Sequence, residues 1–168
     1  ASGPFEQRYV TQLQETRLKR LHEQDQAEWQ AISNALRDPA TEDTDALLAR
    51  LGVLASMTDM YDPIVSGSEI AKTINPQGAI FQGVWATAAE WRRNGTLMEL
   101  GKHIQCPVVA LHGDYDPHPA EGVQRPLSAL LQDFRFVLLQ NCGHTPWLER
   151  QARGSFYQAI ERELALSQ

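Results

Sequence analysis

Cysteine is scarce: Cys106 and Cys142 are the only two in 168 residues. Two thiols are too few for a disulfide scaffold, and they lack the repeated short spacing of a zinc site. They read instead as two small buried thiols in a reducing, cytoplasmic setting. Long apolar runs are lacking as well, since none approaches the roughly 18–20 residues that a membrane helix needs. No basic patch followed by an apolar stretch opens the chain, so no signal peptide is read. Basic residues are outnumbered, with fifteen Lys and Arg against twenty-one Asp and Glu and a formal net charge of −6. That balance argues against a nucleic-acid partner, whose phosphates call for clustered Lys and Arg. Eleven Gly and nine Pro are ordinary usage, which excludes a fibrous or disordered chain. The length suits one domain with a real core. Ala1–Gly3, without an initiator Met, reads as a chain beginning in mid-fold, because Ser-Gly-Pro is a turn that ordinarily follows another element.

What is present is helical first and α/β afterwards. Phe5, Tyr9, Leu13 and Leu21 recur at steps of four or twice four, which predicts an amphipathic helix over Phe5–Arg20 with Pro4 in its first turn. A second helix is expected over Gln24–Leu36, burying Trp29, Ile32 and Leu36, and ended by Asp38-Pro39. Thr41 or Thr44 then caps a third that carries Leu47, Leu48, Leu51, Leu54 and Met57. Ser66-Gly67-Ser68 and Asn75-Pro76-Gln77-Gly78 read as loops around a weak helical turn. Ala79–Arg93 forms the next helix, with Phe81, Trp85, Ala88 and Ala89 on one side. Trp29, Trp85 and Trp91 read as core or groove aromatics, and Arg92 and Arg93 as solvated charges at a helix end. Asn94-Gly95 stops that helix, and a short turn over Leu97–Leu100 closes at Gly101.

At Cys106 the period changes. Cys106–His112 is a continuous apolar run, read as a strand buried on both faces of a parallel sheet. Pro126 opens a helix holding Leu127, Leu130 and Leu131. Phe134–Leu139 is a second buried strand, and Trp147–Leu166 the last helix. Strand–helix–strand–helix with short loops predicts parallel strands and a crossover connection.

In open α/β sheets, ligands and catalytic groups gather beyond the carboxyl ends of the strands. Two loops fit that place: His112-Gly113-Asp114-Tyr115-Asp116-Pro117-His118-Pro119 and Asn141-Cys142-Gly143-His144-Thr145-Pro146-Trp147. A carboxylate from the first can orient an imidazole from the second and stabilise the imidazolium formed when that imidazole takes a proton. Asp114 reads as a turn-forming residue.

Gly113-Asp114-Tyr115-Asp116 and Gly143-His144 resemble the α/β-hydrolase superfamily, whose members place the triad acid on a Gly-x-x-Asp loop and the triad His in a Gly-His pair. The resemblance runs from about Ile104 to Glu163. It implies Asp116 as the acid and His144 as the base. It implies a partial α/β-hydrolase fold, with residues 1–100 as a helical lid and 101–168 as the C-terminal part of the core. The family's nucleophile motif, Gly-x-Ser-x-Gly, is absent. Ser66 and Ser68 flank Gly67, and Ser155 follows Gly154, in neither case with the second glycine. Two strands also fall short of the roughly 20–25% strand of ordinary domains. The expectation is therefore the C-terminal fragment of a serine hydrolase, inactive alone. Its partner is the missing N-terminal half, or a second copy that covers the open sheet edge. The complete enzyme would take a small-molecule substrate, without cofactor or metal.

Two other classes compete. His112, Asp114, Asp116 and His118 alternate, so an extended segment would place them on one side as ligands for zinc or manganese. Five or so amphipathic helices on two strands could also form a non-catalytic interaction module.

Overall fold

A computed structural model describes residues 4–38, 40–67, 69 and 76–166. The turn read over Ala1–Gly3, and the roles read for Pro39, Ser68 and Asn75, lie outside the described residues. The chain is mixed α/β, mostly helical, with one two-stranded parallel sheet among the described residues.

Three helices begin the fold: α1 over Gln7–Arg20, α2 over Glu23–Ala35 and α3 over Thr44–Asp59. Tyr9 and Leu13 on α1, Trp29 and Ile32 on α2, and Leu48 and Leu54 on α3 are buried. Leu21, Trp29, Ile32 and Leu54 form one apolar cluster, with Leu36 and Leu51 packed around it. Burying a Leu or Ile side chain is worth about 1.5–3 kcal/mol, so this cluster holds the three helices together. Three expectations need correction here. Pro4 precedes α1 rather than sitting in its first turn. The cap of α3 is Asp43, in the left-handed region at φ 53°, whose Oδ1 accepts from Ala46 N–H at 3.4 Å. Threonine's β-branched side chain suits that backbone poorly, whereas Asp tolerates it. Met57 is carried on α3 as expected and is 51% exposed, while Thr58 and Asp59 beside it are buried. Leu36 lies just beyond α2 and is partly buried.

Helix α4 covers Gly78–Asn94 and stops at Gly95, whose φ of 84° needs a residue without a Cβ. Its apolar side is not core. Phe81 and Trp85 are 38% and 44% exposed, and Ile80 and Val84 more so. Arg92 is not a solvated helix-end charge either: it is half-buried and donates its Nε–H to Pro4 O at 2.7 Å. Helix α5, Thr96–Gly101, follows at once.

Strand β1, Val108–Gly113, pairs in parallel with β2, Phe134–Leu139, in the register Val108 to Phe134 through Gly113 to Leu139. Cys106 lies outside β1 and is exposed, unlike the buried Cys142. The strands are half-buried over most of their length rather than covered on both faces. Each has an edge without a strand partner among the described residues. Between them α6 spans Glu121–Leu130 and holds Pro126 in its interior, five residues after the helix begins. Gly122 in its first turn lies close against Tyr9 of α1: a Cβ there would stand 2.7 Å from the Tyr9 ring. The final helix is also shorter than expected. A 3-10 turn at Pro146–Leu148 comes first, and α7 starts only at Arg153. Glu149 breaks the run by turning its carboxylate inward, and it also bridges Pro63 as a short antiparallel pair. Among the described residues no helix is long and apolar enough to cross a membrane.

Candidate active site at the strand ends

The two loops that follow β1 and β2 are bound to each other through the backbone. Asp114 N–H donates to Leu139 O at 2.9 Å, and Tyr115 N–H to Cys142 O at 2.9 Å. The approach is close enough that any Cβ on Gly113 would collide with the Cys142 carbonyl. Asp114 Oδ1 accepts from Cys142 N–H at 3.1 Å, so this residue fastens the second loop to the first. That is more than the turn-forming part read for it.

The helical half holds the same loops from the other side. Asp59 O, at the end of α3, accepts from His144 N–H at 2.7 Å, and Gly143 has no room for a Cβ beneath that carbonyl. Arg17 of α1 holds the Asp59 carboxylate with both Nε and Nη2. Arg20 donates to Thr58 O at 2.7 Å and to Tyr115 O at 2.8 Å, and stacks 3.7 Å above the Tyr115 ring. Glu149, fully buried, accepts from Gly143 N–H at 2.8 Å, Tyr61 N–H at 2.8 Å and Asp62 N–H at 2.7 Å. A buried carboxylate facing three backbone donors is satisfied without a cation.

Asp116 stands at the centre. Its Oδ2 accepts from His144 Nδ1–H at 2.8 Å. Its Oδ1 accepts from His118 Nδ1–H at 2.7 Å and from His118 N–H at 2.9 Å. The two imidazoles stack with centroids 4.5 Å apart and planes 21° from parallel. Burial works against the Asp116 charge, but hydrogen bonds from His118 and His144 outweigh it and hold the carboxyl well below the ordinary carboxylate range. An ionised carboxylate only accepts, so both imidazoles carry their proton on Nδ1 and leave Nε2 as a lone-pair base. Burial is also the main influence on His118, lowering it below its ordinary value despite the Asp116 bond. Its side chain is 10% exposed, against 22% for His144.

The alternating set His112, Asp114, Asp116 and His118 does not assemble. His112 Nδ1–H is turned to Gly113 O at 2.9 Å, and its Nε2 lies 3.9 Å from Asp116. Asp114 faces Cys142. The segment turns at Pro117 instead of extending, so alternation does not put its side chains on one side. The group able to share a cation is Asp116, His118 and His144, whose donor atoms lie within 4.8 Å of one another. In that group both carboxylate oxygens and both Nδ1 atoms already serve each other, and a cation would have to displace those hydrogen bonds. Cys142, two residues from His144, is no nucleophile: burial, with Glu149 and Asp114 nearby, pushes its thiol up to about 12.

His118 and His144 lie in the wall of a cavity of about 640 Å³ whose other walls come from α1, α2, α3 and α4. Asp116 and His144, chosen from the sequence, thus meet at hydrogen-bonding distance. Glu149, Asp59, Arg17 and Arg20 are not marked by the sequence, and His118 is marked there only as one of an alternating set of metal ligands. Only His118 had a local signal: a side chain two residues after Asp, between two prolines, is placed to bond back to that carboxylate. Comparison with family models, with curated proteins and with solved structures returned no match.

Proposed function

We propose that this chain carries the acid–base half of a serine-hydrolase site of the α/β-hydrolase kind, with the nucleophile supplied from outside residues 1–168. His144 takes the proton of an attacking hydroxyl on Nε2, and Asp116 holds its tautomer and balances the imidazolium that forms. The supporting observation is the 2.8 Å bond from His144 Nδ1 to a carboxylate whose other oxygen is saturated by His118. A side chain so held is fixed in orientation, and of the two imidazoles in the cavity wall His144 is the more exposed. The helices that close the cavity act as the lid, and a small molecule bearing an ester, amide or related bond is the substrate. The open edges of β1 and β2 would receive the rest of the sheet or a second copy of the chain. Two free thiols suit a cytoplasmic setting.

The test is fluorophosphonate labelling of two proteins: this chain, and the chain joined to the coding sequence that precedes it. The expected result is no label on residues 1–168, and label on a serine of the preceding segment that His144→Gln and Asp116→Asn each reduce at least a hundredfold. Labelling at a serine within residues 1–168, or undiminished labelling in both variants, would contradict the reading.

A further inference from the structure

The wall of the cavity beside His144 is apolar over most of its extent, through Leu13, Trp29, Leu48, Leu51, Phe81 and Trp85. No aspartate or glutamate lines it; its charged side chains are Arg17 and Arg92. Arg17 already has its anion, because its Nε and Nη2 hold the two carboxylate oxygens of Asp59. Arg92 does not. Its Nε–H goes to the Pro4 carbonyl, and its two Nη groups meet no carboxylate among the described residues. The residues outside that set are Ala1–Gly3, Pro39, Ser68, Ile70–Asn75, Ser167 and Gln168, and none of them is an aspartate or glutamate. Trp85 and Phe81 are exposed for the same reason: they face this space from α4, the helix that carries Arg92.

A guanidinium drawn out of water without an anion is costly, and an apolar enclosure strengthens whatever anion reaches it. Burial accordingly lowers Arg92 below its ordinary value. The volume lies within the roughly 300–1,000 Å³ of pockets that enclose small organic ligands.

We propose that this cavity takes an amphiphilic carboxylate, an apolar chain along the aromatic and leucine walls with its anionic group on Arg92. The inference rests on the hydrolase reading for its place in catalysis, and names the substrate class as an ester or amide whose apolar body also bears a carboxylate. Substrates recognised through a free ammonium group are excluded, since the wall offers no carboxylate to receive one. Arg92 acts as a specificity residue: it holds the anion by a charge-assisted, bidentate contact and plays no part in bond cleavage.

The experiment titrates the intact chain with dodecanoate, dodecanol and dodecylamine, below their micelle-forming concentrations, following tryptophan fluorescence from Trp29 and Trp85 in the wall. Dodecanoate is expected to bind at least tenfold more tightly than either comparator. Arg92→Met should weaken dodecanoate about tenfold and leave dodecanol unchanged, and Arg92→Lys should restore part of the loss. A thermal melt matching that of the original chain shows that the variants fold. Equal or tighter binding of dodecylamine, undiminished dodecanoate binding in Arg92→Met, or no binding of any of the three would overturn the inference. Charge selectivity is read by binding alone, whereas the hydrolase reading is judged by fluorophosphonate labelling, so each can fail without the other.

Discussion

Two regions of this molecule bury opposite kinds of group. Between α1, α2 and α3 the buried cluster is Leu21, Trp29, Ile32 and Leu54, all apolar. Around the ends of β1 and β2 the polar groups His112, His118, Asp59 and Glu149 are buried beside a small apolar cluster of Leu139, Cys142 and Ala152, with the Asp116 side chain only 7% exposed. The first region is held by contact area, which is shared among many atoms and tolerates changes of shape that keep volume. In the second each carboxylate has assigned partners: three backbone donors for Glu149, two imidazoles and the His118 N–H for Asp116, one guanidinium and the Thr58 hydroxyl for Asp59. Such a network fixes geometry to within a hydrogen bond, and losing one member strands several others. A site that must hold an imidazole in one tautomer needs the second kind of region. A lid that must adapt its walls can be built from the first.

Glu149→Ala breaks the contrast at its strongest point. It leaves three donors on Tyr61, Asp62 and Gly143 unserved, each at about 1–3 kcal/mol. Urea unfolding should show a loss of about 4 kcal/mol or more, and a loss below about 1 would mean that water replaces the carboxylate freely. Leu54→Ala is the matching cut in the apolar region. A fully buried Leu with no room to collapse costs about 2–5 kcal/mol by the same measurement.

Acid should act chiefly on the polar region, although the exposed Glu28–Arg50 pair between α2 and α3 also favours the ionised carboxylate. Asp116 titrates lower in the folded chain than unfolded, so the stability it brings is whole above its ordinary value of 3.8 and is lost as pH falls through its folded value. His118 is also lowered, so the fold favours its neutral form. That contribution is present above the ordinary value of 6.5 and is lost as pH falls through the folded value. The two slopes share a sign, and the urea midpoint should fall steadily from pH 7 towards pH 3. Asp116→Asn should flatten the lower part of that curve and His118→Gln the upper part, while Leu54→Ala should shift the curve without changing its shape. The smallest effect belongs to α4. Ile80 is 61% exposed, and Ile80→Ser should move stability by no more than about 0.5 kcal/mol.

The same contrast explains what the sequence could show. Strand β2 was legible to the residue because Phe134–Leu139 is a short apolar and β-branched run between turns. Helix α2 and its buried Trp29 and Ile32 were legible from spacing alone. The two loops were legible from their place after the strands, whereas Asp116 and His144 within them followed only from the resemblance of Gly113-Asp114-Tyr115-Asp116 and Gly143-His144 to the α/β-hydrolase motifs. Glu149 was not. What makes it structural is the presence of two backbone donors at Tyr61 and Asp62, far away in the chain, and nothing in the local pattern marks that. His118 is marked in the sequence only as one of an alternating set of metal ligands, a reading that Gly113, Pro117 and Pro119 already weigh against, and its bond back to Asp116 is not foreseen. Pro126 reads as a helix start because a proline is placed best there, whereas the helix already begins at Glu121 and carries Pro126 inside it. Phe81 and Trp85 had the spacing of a core face; their exposure follows from the cavity they line, which no periodicity can show.

The central claim is that Asp116 holds His144 with its proton on Nδ1 and a free lone pair on Nε2. The nitrogen-15 resonances of its imidazole, recorded near pH 8, read that tautomer directly. The account predicts the Nδ1–H form for His144 in the unaltered chain and a shift towards the Nε2–H form in Asp116→Asn. An Nε2–H tautomer in the unaltered chain, or the same mixture in both proteins, would contradict it.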